Sequence, residues 1–136
     1  MEFNEGKFEG DNSFKIMELN REITEAIQIL RDNNTRREID SANMAEKIKN
    51  TSLTPEKVSY IKKIIDSSDA IHADIEEFLR FAESKIQEIK KLNPKPDVIA
   101  YIEKTMAYIR INNGIAVERS KYFRGLMNYL NQGLIN

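Results

Sequence analysis

A chain of 136 residues fits one domain, and folding it buries roughly two-thirds of the unfolded surface, enough for a core without covalent staples. Its 21 Lys plus Arg against 22 Asp plus Glu give no global field to attract nucleic acid or an anionic membrane. It has no cysteine, which excludes disulfides, thiolate catalysis and Cys-based zinc sites.

The opening stretch MEFNEGKFEGDN has two glycines, mixed charges and no apolar spacing. It reads as a flexible arm, residues 1–12, ahead of a single helical domain over 13–136. It lacks the basic-then-apolar order of a signal peptide. Beyond it, Ile16, Leu19, Ile23, Ala26 and Leu30 recur at alternating steps of three and four, and a shifted set follows at Ile39, Ala42, Ala45 and Ile48. This spacing predicts a first helix near 13–50.

Thr54-Pro55 opens the second helix. Thr54 has an N-capping oxygen, and Pro55 suits the first helical position, where a missing N–H costs nothing. Leu53 and Val58 are spaced to staple that cap. A heptad stripe then runs from Val58 through Ile61, Ile65, Ser68 and His72 to Ile89. Pro94 disfavours helical geometry in Asn93 and ends this helix near 92. Pro96 and Asp97 suit the first turn of the third, near 96–132, with Asp97 favoured by the helix dipole. Its stripe reads Ile102, Thr105, Ile109, Asn112, Ala116, Arg119, Phe123, Leu126 and Leu130.

The layout these stripes predict is all-α, an antiparallel bundle of three long helices with coiled-coil-like packing. The alternative breaks the chain at Asn33-Asn34 and Asn113-Gly114 into five shorter helices, closer to the usual helix length. Every stripe falters near its middle, and folding the chain back at residues 52 and 94 brings those points to one height. A structural polar layer of Ser68, Asp69, His72, Asn112 and Arg119 is therefore expected, with Asp69 opposite Arg119 fixing register.

Little in the sequence suggests catalysis. His72 is the single histidine; Asp69 and Glu76 share its helical face, but a di-iron bundle needs two Glu-x-x-His units. No phosphate-binding loop, dinucleotide fingerprint, zinc-protease or EF-hand motif is present. Neither an enzyme, a metal site nor a cofactor is expected. The basic doublets Arg36-Arg37, Lys62-Lys63 and Lys90-Lys91 have acidic neighbours, so nucleic acid is not an expected partner. No apolar run approaches the roughly 20 residues that span a bilayer. A cytoplasmic location without membrane insertion is the expectation.

The segment SKYFRGLMNYLNQGLIN is the most apolar. On a helical wheel Tyr122, Phe123, Leu126, Met127, Tyr129 and Leu130 cover an arc of roughly 160°, wider than an ordinary core-facing stripe of about 100°. Either this arc packs against two other helices, or part of it is a docking surface for a partner helix.

The stretch NNGIAVERSKYFRGLMNYL, residues 112–130, resembles the C-terminal helix of the flagellar export chaperones that serve hook-associated proteins. Asn113-Gly114, Ala116-Val117, Arg119, Leu126 and Leu130 match that family's pattern in kind; Arg110 stands where the family often has Asn. The resemblance implies a cytosolic, non-enzymatic protein of long antiparallel helices whose last helix holds a client's helical terminus, with Asn113-Gly114 inside that helix. A chaperone or adaptor is thus the expected function, monomeric or weakly dimeric while it awaits its client. A structural coiled-coil homo-oligomer is the alternative.

Overall fold

In the computed structural model the described backbone covers residues 2–49 and 54–135, with side chains described over 12–49 and 54–132. It forms three helices, α1 (Glu2–Lys49), α2 (Pro55–Lys90) and α3 (Pro96–Ile135), and contains no strand among the described residues. The helices run through both Asn33-Asn34 and Asn113-Gly114 without a break. The chain is therefore three long helices and not five.

The punctuation acts where the sequence places it. The Thr54 side chain accepts from the Lys57 backbone N–H at 3.2 Å, and Pro55 sits in the first turn. The Leu53 half of the expected staple lies outside the described residues. At the other end of α2, Asn93 takes a left-handed φ of 53°, a conformation asparagine tolerates better than most residues. The N–H groups of Lys91, Leu92 and Asn93 turn back to the carbonyls of Gln87, Ile89 and Lys90. Pro96 then starts α3.

α2 is the middle helix. It packs antiparallel on both α1 and α3, whereas among the described residues no α1 Cα comes within 8 Å of an α3 Cα. This explains why its buried face is wider than one heptad seam. Ile61, Ile65, Ser68, Ile75, Leu79, Ala82, Ile86 and Ile89 are buried as the spacing predicts, but so are Ile64, Ile71 and Phe78 along a flank. At the edge of the α1–α2 contact, Lys85 lies 3.0 Å from Glu22, and that carboxylate raises its pKa.

α1 is helical from Glu2, eleven residues before the expected start. The first of its described side chains packed on the core is Ile16, because α1 is longer than α2 and overhangs its end. The second half of α1 differs from expectation as well. Ile39 and Ala42 are exposed, and Ser41 is buried. The inward positions run 23, 26, 30, 34, 37, 41, 44 and 48. Two consecutive steps of four, 26 to 30 to 34, rotate the seam.

α3 keeps half of the expected seam, and the other half shifts by one residue. Its inward positions are 99, 102, 106, 109, 113, 116, 120, 123, 127 and 130, a strict alternation of three and four. Met106 and Met127 are buried in place of Thr105 and Leu126, and Arg119 moves from the centre of the seam to its flank. Burying methionine is favourable by about 1.5–3 kcal/mol, whereas a centred guanidinium costs several kcal/mol unless fully paired.

Candidate functional site

Two features stand out: a polar layer halfway along the bundle, and an apolar ladder along the outside of α3.

Of the residues expected in the polar layer, Ser68, Asp69, His72 and Arg119 stand in it. Asn112 does not: it is exposed, and the shifted half of the α3 seam brings Asn113 inward instead. The Asn113 amide N–H donates to Glu76 at 2.8 Å, so its oxygen faces His72 and accepts the Nδ1 proton across 2.7 Å. The expected Asp69–Arg119 pair is also corrected. Asp69 accepts from the Ser120 hydroxyl at 2.6 Å and pairs with Arg124. Arg119 turns the other way, donating to Ser68 Oγ at 2.8 Å and through both terminal nitrogens to Glu38 at 2.6 and 2.9 Å. That fork joins α1 to α3, which have no backbone contact. Alongside it, Arg37 of α1 pairs with Asp74 of α2.

These side chains are committed to one another. Asp69, His72 and Glu76, which share a helical face, each bond to α3, and no three His, Cys, Asp or Glu groups converge on one point among the described residues. The layer ties α3 to both α2 and α1 at one height. The Arg119 side chain is 20% and that of Glu38 45% exposed, so water screens the pair and its own worth is at most about 1 kcal/mol. An Arg119→Met chain also leaves the buried Ser68 hydroxyl short of a partner. It is expected to lose about 1–2 kcal/mol in urea unfolding. Combined with Asp69→Asn, the losses add to within about 0.5 kcal/mol; strong coupling between the two would contradict the separate pairings.

The six residues of the wide arc divide. Phe123, Leu126, Met127 and Leu130 pack around Ile61 and Ile65 of α2 and belong to the core. They are not a free docking surface, because the inward seam of α3 passes through 123, 127 and 130. Tyr122 and Tyr129 remain exposed, Tyr122 with its ring edge-on to Phe123 at 5.1 Å.

Those two tyrosines are rungs of a longer pattern. Tyr101, Tyr108, Ile115, Tyr122 and Tyr129 recur every seven residues, on the same side of α3 throughout. The four tyrosines are 60–73% exposed and Ile115 is 53% exposed. From first to last the ladder spans about 42 Å. On one side it borders a groove of about 420 Å³ between α1 and α3, walled by Ile27, Ile39, Tyr108 and Ile115 and floored by Ile71 and Ile75 of α2. The groove exists because α1 and α3 each hold to α2 and diverge from each other. Sequence reasoning missed Tyr101, Tyr108 and Ile115; the signal that would have found them is the seven-residue recurrence of large residues one position before the core seam.

No described helix is long and apolar enough to cross a membrane. Compared with known proteins, the chain matches no family model, no curated protein and no solved structure.

Proposed function

We propose that this protein is a non-enzymatic helical binding module, a cytoplasmic chaperone or adaptor that holds an amphipathic helix of another protein against the outer face of α3. The observation that carries this reading is the exposed ladder of Tyr101, Tyr108, Ile115, Tyr122 and Tyr129. Five large apolar rungs at heptad spacing match the period of a helix laid alongside in coiled-coil fashion. Tyrosine suits that task, offering wide apolar contact with a polar tip that stays wet when the face is empty. α1 and α3 form the two sides of a cradle, and binding needs no chemistry from either. The resemblance of residues 112–130 to the flagellar export chaperones supports the same reading and suggests a client helix destined for export. Because Phe123, Leu126, Met127 and Leu130 pack against α2, the docking residues proposed are those of the tyrosine ladder instead.

The test is affinity capture from the source cell's lysate with the wild-type chain and with Tyr108→Glu/Tyr122→Glu. Both rungs are exposed, so circular dichroism is expected to show unchanged helicity. One dominant protein held by the wild type and lost by the variant is the expected result. Equal retention of partners by both chains would remove the ladder from the binding face.

A further inference from the structure

We infer that the ladder also docks on itself, so that in the absence of a client two copies pair through antiparallel α3 helices about a two-fold axis at Ile115. This inference rests on the reading of α3's outer face as a helix-docking face and names its resting occupant.

Three observations favour a second copy. The ladder is palindromic: Tyr-Tyr-Ile-Tyr-Tyr reads the same in both directions about Ile115. A two-fold interface requires such self-complementarity, with residue i meeting j and j meeting i. Tyr101 then meets Tyr129 of the second copy, Tyr108 meets Tyr122, and Ile115 meets its own image.

Charge is compatible with this direction. Beside the ladder lie Lys104 and Glu118 on one flank and Arg119 on the other. In an antiparallel pair each flank meets the same flank of the second copy, so Glu118 meets Ile111 and Arg119 meets Asn112, and no like charges are opposed.

Space and area agree. Gly125 lies between Tyr122 and Tyr129, and a Cβ added there meets nothing within 4 Å in its own chain. Packing within the protomer therefore gives no reason for glycine at this point, and in the antiparallel pair the notch receives the stem of Lys104 of the second copy. Four tyrosines about two-thirds exposed offer roughly 500 Å² per copy. A pair buries on the order of 1,000 Å², enough for a specific but weak interface. A weak interface is what a resting dimer needs if a client helix is to displace it.

The chain's lack of cysteine allows a direct test on the full-length protein. Sedimentation equilibrium of the wild type is expected to show a concentration-dependent dimer, weakened by roughly thirtyfold or more in Tyr108→Glu/Tyr122→Glu. Under mild oxidation Ile115→Cys alone is expected to cross-link to itself. Tyr101→Cys alone is not, but a mixture of Tyr101→Cys with Tyr129→Cys is. Self-linking of Tyr101→Cys as readily as Ile115→Cys would overturn the antiparallel arrangement. A wild type that stays monomeric into the high micromolar range would overturn the dimer. If that monomer still captured a protein partner through the ladder, the dimer alone would fall and the binding-module reading would stand; if it captured none, both would fall.

Discussion

An Ile75→Ala chain is expected to unfold about 2–5 kcal/mol more easily than the wild type. Against a typical total of about 5–15 kcal/mol, that is a large fraction, and for a domain of this size it lowers the melting midpoint by about 10 °C. Ile75 is 2% exposed and stands on α2, the helix that holds the other two. It also lines the floor where α1 and α3 diverge, so truncating it weakens both contacts at once. Because that floor opens on a groove, the vacated space is partly relieved by side-chain movement and water. The loss is therefore expected in the lower half of the range, and Ile89, fully buried where α2 nears its end, sets the upper half. Ile39→Ala is the control. The same heptad reasoning that buries Ile75 also buries Ile39, yet Ile39 is 56% exposed, and its truncation is expected to change stability by no more than about 0.5 kcal/mol. Urea titration of the three variants measures all of this; a large loss at Ile39 would mean that the second half of α1 packs in the unshifted register.

That contrast shows where the pattern was legible. The α2 stripe could be read because most of its inward residues are isoleucine or leucine at constant spacing. What escaped was Ile64, Ile71 and Phe78, since a heptad describes one seam and α2 has a partner on each flank. In α3 two stripes one residue apart compete, Thr105–Asn112–Arg119–Leu126 and Met106–Asn113–Ser120–Met127. Both have polar centres, and hydropathy separates them weakly. The choice is made by the layer itself: Asn113 reaches His72 and Glu76, Ser120 reaches Asp69, and Arg119 is left free to cross to Glu38. These are partners on other helices, invisible along one strand of sequence. The ladder was hidden for a different reason. A wheel drawn over the last 17 residues shows a wide arc but not its recurrence, which needs the whole of α3 to appear.

The continuity of α3 gives the second large effect. Gly114→Pro is expected to cost about 3 kcal/mol or more, and Gly114→Ala to gain about 1 kcal/mol. Asn-Gly ordinarily marks a turn, with glycine at positive φ. Here Gly114 lies inside α3, its φ is not positive, and a Cβ added to it meets nothing within 4 Å. Alanine therefore fits without displacement and removes the entropic penalty of glycine in a helix. Proline removes a helical N–H and drives its ring into the carbonyl four residues earlier. The kink falls beside Asn113, so its bonds to His72 and Glu76 are strained as well. If residues 112–114 formed a turn between two short helices with Gly114 at positive φ, the sign of the alanine effect would change: alanine there would destabilise, and proline, whose φ is fixed near about −65°, would be unfavourable in either case. Thermal unfolding of Gly114→Ala distinguishes these cases by sign alone. The polar residue of the pair ties α3 to α2, and the glycine beside it faces outward, so this Asn-Gly divides its work between the two faces of one helix. Because Gly114 adjoins Ile115, the stiffened Gly114→Ala chain also reports on docking. Unchanged self-association would mean that the ladder acts as a rigid face, and a loss greater than tenfold that α3 must bend at Gly114 to pair.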